Sequence, residues 1–126
     1  MGLASVNRLT GKTDFSLIRK TGRKIFCGYI TLYVLENGKR FSRLAVVIPA
    51  KVAHSARRHR IKRLFREAFR RNLCFFNRQV DVIILPAKEI ASLNNYAMAE
   101  SVLISGLKKT GIINAQKNID SADKSV

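Results

Sequence analysis

The side chains able to do chemistry crowd into one stretch. Between Arg57 and Arg71 stand seven arginines and one lysine, Lys62, with Glu67 as the single acid. Guanidinium groups keep their protons throughout the biological range, so they make poor general bases. Their planar donor fork instead matches the oxygens of a phosphate. Candidates for acid–base work are His54, His59 and Lys51. A nuclease built on these would want carboxylates to relay protons or hold metal ions. Between Asn37 and Val80, however, Glu67 is the one acid among thirteen basic residues. The residue types favour holding a polyanion over cleaving one. Cys27 and Cys74 stand alone, without the paired spacing of a zinc site, and read as two buried reduced thiols.

The elements that must position these groups follow from periodicity. Ser55 can cap a helix running to about Asn72, in which Ile61, Leu64, Phe65 and Ala68 recur at i, i+3, i+4 and i+7 and share one face. Lys62, Arg63, Arg66 and Arg70 then fall within about a third of the circumference on the other side. Ordinary solvated helix faces mix signs, because like charges four apart repel. Here Lys62, Arg66 and Arg70 are successive like pairs. Arg57, Arg58 and Arg60 crowd the first turn, where the helix dipole already favours an anion.

Upstream, Thr13 precedes a short helix with Phe15 and Ile18 three apart, stopped at Gly22. Arg23 to Glu36 reads as one strand. Its even positions Ile30, Leu32 and Val34 suit a core, and its odd positions Tyr29, Thr31, Tyr33 and Leu35 make a face with two tyrosines. Asn37-Gly38 signals a hairpin to a return strand from Arg43 to Ile48. Val80 to Leu85 is a near-continuous apolar strand. Tyr96 to Lys109 is an amphipathic helix with Met98, Val102 and Leu103 on one side. The expectation is a single α/β (α+β) domain over residues 1–110, ordered α-β-β-α-β-α around a mixed sheet, followed by a polar, frayed tail over 111–126.

Composition agrees with a partner of opposite charge. The 126 residues carry 24 Lys and Arg against 8 Asp and Glu, a net +16. The tail is neutral, so all of the excess lies before it. Such self-repulsion usually marks a protein that meets a nucleic acid. No apolar run approaches the roughly 20 residues of a membrane span. Neither a signal-peptide core nor a membrane-surface helix is evident, so cytoplasmic residence and no membrane partner are expected.

The stretch Arg58-His59-Arg60, Ile61-Lys62-Arg63 and Arg66-Glu67-Ala68-Phe69-Arg70 resembles the signature of the bacterial ribonuclease P protein. That signature is an Arg-Asn-Arg triplet opening a helix, then hydrophobic-Lys-Arg, then Arg-Glu-Ala-Phe-Arg. The likeness continues through Arg8-Leu9, Asp14-Phe15, Gly22, Leu32-Tyr33, Arg43-Leu44, Lys51 and Asp81-Val82-Ile83-Ile84, over about residues 7 to 109. Three departures stand out: His59 replaces the asparagine, Pro49-Ala50-Lys51 replaces a pattern similar to Ser-Lys-Lys, and Pro86-Ala87 stands where a small residue and then a basic one are usual.

The resemblance implies the protein subunit of an endoribonuclease that removes the 5′ leader from precursor tRNA. It implies that an RNA subunit carries catalysis with magnesium ions, while the protein itself binds no cofactor and has no catalytic residue. It also implies a left-handed βαβ crossover. Carried over by position, Arg58, His59, Arg60, Lys62, Arg63, Arg66, Arg70 and Lys51 would meet RNA. A cleft between the first helix and the sheet would hold the single-stranded leader. Phe15, Arg19 and Tyr33 are its candidate lining, because rings accept any base by stacking. The expected partners are the catalytic RNA and precursor tRNA, with no obligate protein partner. Other classes remain open on composition: a structural protein of another ribonucleoprotein such as the ribosome, a nuclease acting alone, or a helix-turn-helix DNA binder. The last is disfavoured because the basic helix lacks the Asn and Gln used to read bases.

Overall fold

A computed structural model describes residues 3–86, 90 and 93–114. Three helices, α1 (Lys12–Thr21), α2 (Ser55–Asn72) and α3 (Tyr96–Lys109), accompany four strands. The strands are β1 (Arg23–Cys27), β2 (Ile30–Glu36), β3 (Arg43–Val46) and β4 (Val80–Pro86), arranged β1-β2-β4-β3. The α+β class with a mixed sheet is as expected, and so are the spans of α2 and α3.

Two features of the sheet differ from the sequence reading. The expected single strand from Arg23 to Glu36 is a hairpin, turning at Gly28-Tyr29 with Cys27 opposite Ile30. Gly28 has φ +65°, a conformation that a side chain disfavours and that a two-residue hairpin loop requires. Nor does Asn37-Gly38 turn β2 back onto β3. Instead β4 lies between them, antiparallel to β2 and parallel to β3. Asn37 closes a local turn, its Oδ1 accepting from the Lys39 amide at 2.8 Å, while its Nδ2 donates to Asp81 on β4 at 2.8 Å. The parallel β3–α2–β4 unit is the crossover to which the implied left-handedness refers.

The main core lies between the sheet and helices α2 and α3. Ile30, Leu32 and Val34 of β2 and Val82 and Ile84 of β4 meet Ile61, Phe65, Ala68 and Phe69 of α2. Phe65 and Phe69 are fully buried, each contributing about 2–3 kcal/mol through removal from water. Gly106 lets α3 approach the sheet closely, since a Cβ there would come within 2.1 Å of a Leu32 methyl. Ile112 and Ile113 are also buried in this core, so the folded domain extends past the expected boundary at 110. The rest of the anticipated tail, 115–126, lies outside the described residues.

The opposite sheet face carries a second, smaller core beneath α1: Leu9, Ile18, Tyr33, Ala45 and Ile83. Helix α1 begins after Gly11 rather than at a Thr13 cap, and ends where the Gly22 amide donates to Ile18 at 2.8 Å. Arg43 of β3 ties the layers together by pairing with Asp81 on β4 and with Asp14 on α1. Cys27 is buried as expected, but Cys74 is exposed; both are free.

Candidate nucleic-acid interface

Helix α2 is held at its start by main-chain and side-chain contacts to its surroundings. His54, not Ser55, is its N-cap: the ring Nδ1 accepts from the Arg57 amide at 3.3 Å. Arg58 Nη1 donates to the Ala53 carbonyl at 2.8 Å, closing the turn before the helix. Arg57 donates to the Leu93 carbonyl, and Arg60 Nη2 to that of Asn94 at 2.9 Å. These bonds fix the first turns against the segment leading into α3.

One open groove, about 800 Å³ in volume, runs along the exposed stripe of α2. His59, Arg60, Arg63 and Arg66 line it, joined by Arg8 from the N-terminal segment and by Arg71 and Tyr96. Of the eight residues expected to meet RNA, these four from α2 are gathered on it. Arg58 is turned to the Ala53 carbonyl. Half-buried Lys62 and exposed Lys51 are not among the groove residues. Arg70 Nε donates to Glu67 at 3.0 Å. Arg8, Arg71 and Tyr96 were not among the candidates: their contribution depends on contacts between distant segments, which no local period reveals.

The electrostatics vary along the groove. Burial lowers the pKa of Arg66, and the nearby charge of Arg8 lowers it further. Among the described residues no carboxylate pairs with either arginine; Arg8 Nε donates to the Leu3 carbonyl at 3.0 Å, which leaves the like charges of the two groove residues uncompensated. A phosphate between them would relieve that repulsion. Toward Arg71 the groove is more nearly compensated. Glu67, hydrogen-bonded by Arg70 and then by Arg71, is held down to about 2 despite partial desolvation. Tyr96 is pushed up to about 12 by burial and by its hydrogen bond with Glu100, so it stays a neutral ring.

The second candidate surface lies on the other side of the sheet. Phe15 and Arg19 line a shallow depression with Thr10, Lys12 and Ser16. Phe15 also packs on the smaller core that holds Tyr33, so the candidate residues Phe15, Arg19 and Tyr33 do lie together. Tyr33, however, is only 8% exposed. The Arg19 guanidinium sits 5.4 Å from its ring centroid and the Lys24 ammonium 5.8 Å. Hydrogen bonding by Arg19 leads the lowering of the Tyr33 pKa. The expected open tyrosine face is therefore covered at this position by α1 and two cations. The more open ring is Phe26, which is 67% exposed although the Lys24 ammonium also stands 5.3 Å from its centroid. It stands across from Thr31, in the next row of the same sheet face. Lys24 and Phe26 were overlooked because Arg23 to Glu36 was read as one strand, whereas they lie on β1, which folds back beside β2.

Among the described residues no group of three or more His, Cys, Asp or Glu side chains is placed to hold a metal ion. No helix among them is long and apolar enough to cross a membrane.

A family model for ribonuclease P matches residues 3–122. The chain belongs to the ribonuclease P protein family. It is 31% identical over 113 residues to the ribonuclease P protein component of Alkaliphilus oremlandii, covering 90% of this chain and 98% of that one. Against the component of Thermotoga maritima it is 34% identical over 84 residues, covering 67% of this chain and 72% of the relative. The solved ribonuclease P protein of Thermotoga maritima superposes with a TM-score of 0.73 at 30% identity, covering 81% of this chain and 96% of that one. That of Staphylococcus aureus, at 22% identity, shares the fold with a TM-score of 0.77, covering 86% and 98%. His59, Arg60, Arg63 and Arg66 belong both to the α2 motif and to the groove.

Proposed function

We propose that this chain docks through the α2 groove onto the catalytic RNA of a ribonuclease P and, through α1 and the uncovered part of the sheet, holds the 5′ leader of precursor tRNA. The observation that carries the reading is the pairing of Arg8 with Arg66 in a groove shared with His59, Arg60 and Arg63. Arginines brought together without carboxylate partners fit an external polyanion better than they fit the isolated fold. Hydrolysis of the phosphodiester joining leader to tRNA falls to the RNA subunit and the magnesium ions it uses. The protein contributes position and charge. Its guanidinium groups neutralise phosphates that would otherwise repel, and Phe26 and Phe15 offer rings to unpaired bases whatever the leader sequence.

The test is cleavage of precursor tRNA by the protein alone, by the cognate catalytic RNA alone, and by both together. The expected result is no cleavage by the protein, and faster cleavage by the pair than by the RNA alone at low magnesium. Leader removal by RNA-free protein that survives a nuclease-contamination control would overturn the reading.

A further inference from the structure

The far end of the α2 groove is built differently from its cationic middle. Arg71 lies with its Cζ 4.6 Å from the centroid of the Tyr96 ring. Its Nε donates to Glu67 at 2.8 Å, yet its side chain is 56% exposed. The Tyr96 hydroxyl donates to Glu100 Oε2 at 2.9 Å, and Asn72 Nδ2 donates to the same oxygen at 2.9 Å. The ring is thereby held at its polar tip, and the guanidinium is held at one edge. Both groups line the groove.

We propose that the Arg71–Tyr96 pair is a stacking platform for an unpaired base of the RNA that occupies this groove, a proposal that rests on the groove being the RNA-docking surface. Charge differs between the two ends of the groove. Arg8 and Arg66 lack carboxylate partners and suit phosphates. Arg71 shares Glu67 with Arg70, so its end is closer to neutral and presents a fixed guanidinium plane backed by a ring. Bases stack on arginine planes as they do on aromatic side chains. From His59 to Arg71 the helix rises about 18 Å, which leaves room for several nucleotides between the two ends. A purely structural Arg–Tyr contact between α2 and α3 would work as well buried; here the arginine stays accessible on the groove wall.

The experiment uses the full chain and its cognate catalytic RNA, with dissociation constants measured over a range of salt. Arg71→Lys keeps the charge and removes the plane. It is expected to weaken binding about tenfold, the scale of one base stack, with the salt dependence unchanged. Tyr96→Leu keeps apolar bulk on α3 and removes the ring, and should also weaken binding with the salt dependence unchanged. Wild-type affinity of Arg71→Lys overturns the platform, whether Arg71→Ala loses salt dependence as a simple phosphate contact or is also unaffected. Wild-type affinity of Tyr96→Leu overturns it too, because the ring would then have no part in the platform. Arg63→Ala separates the two levels of the argument. If it weakens binding and flattens the salt slope while Arg71→Lys does nothing, the platform falls and the docking surface stands. If neither change has an effect, both fall.

Discussion

Tyr33 illustrates how burial decides what an aromatic residue can do. Its ring sits under α1 among Leu9, Ile18, Ala45 and Ile83, with Arg19 and Lys24 over it. Tyr33→Ala is therefore expected to cost about 3 kcal/mol of stability through the cavity it leaves, seen as a lowered melting temperature of the free protein. Phe26 is the contrasting case, exposed on the same sheet face. Phe26→Ala should leave the melt nearly unchanged and weaken precursor tRNA in the holoenzyme by about 1–3 kcal/mol. Mature tRNA, having no leader, should bind as before, and equal losses for both ligands would remove Phe26 from the leader surface. In the groove, Arg66→Ala should weaken the catalytic RNA and lower the salt slope by about 0.7–0.9, the signature of one lost phosphate contact. Because Arg66 faces Arg8 without a carboxylate, the same change should not destabilise the free protein. An unchanged slope would return Arg66 to an ordinary solvated charge.

At the scale of elements, α2 carries both a core face and a cationic groove face, and Glu67 keeps its last turn in order. Its carboxylate is shared by Arg70 and Arg71, which holds its pKa down to about 2. The folded value lies below the ordinary carboxylate value of about 4.3. The stabilisation is thus fully present above that ordinary value and is lost as pH falls toward 2. Glu67→Gln should accordingly melt below the wild type at neutral pH, with the gap closing between about pH 4.5 and pH 2. A gap that persists to pH 2 would show that the charge of Glu67 is not what its replacement removes. The two neighbouring arginines are exposed, so the effect should be modest and should shrink in high salt.

The whole molecule carries +16 on one small domain, and its fold must tolerate that repulsion until a polyanion arrives. Screening should therefore stabilise the free protein. Raising salt from about 0.02 to about 0.2 M shortens the reach of charge–charge repulsion and is expected to raise the melting temperature by about 4 °C, the shift that ~1 kcal/mol produces in a domain of this size. A melting temperature that falls with salt would mean that the surface ion pairs, such as Arg78–Glu36, outweigh the net repulsion. Catalytic RNA should raise the melt further by binding only the folded state.

The sequence by itself determined what is local or periodic. The 3.6-residue spacing of Ile61, Phe65 and Ala68 placed α2, with its arginines opposite, because helix periodicity depends on nothing outside the segment. The motif on that helix, with its one histidine at position 59, carried the family resemblance for the same reason. The α+β class and the alternation of β2 also follow from local pattern. Tertiary structure decided what depends on segments far apart. A two-residue turn at Gly28-Tyr29 was hidden inside a run of strand-forming residues, where one permissive glycine splits the strand without breaking its composition. The Asn37-Gly38 signal describes a turn but not which strand pairs beyond it, and β4 took the place next to β2 because its apolar residues on both faces suit the centre of a sheet. Tyr33 lost its exposure because α1 settled over it. Arg8 met Arg66, and Arg71 met Tyr96, through packing between elements distant in the chain, and periodicity within a segment carries no information about its neighbours in space.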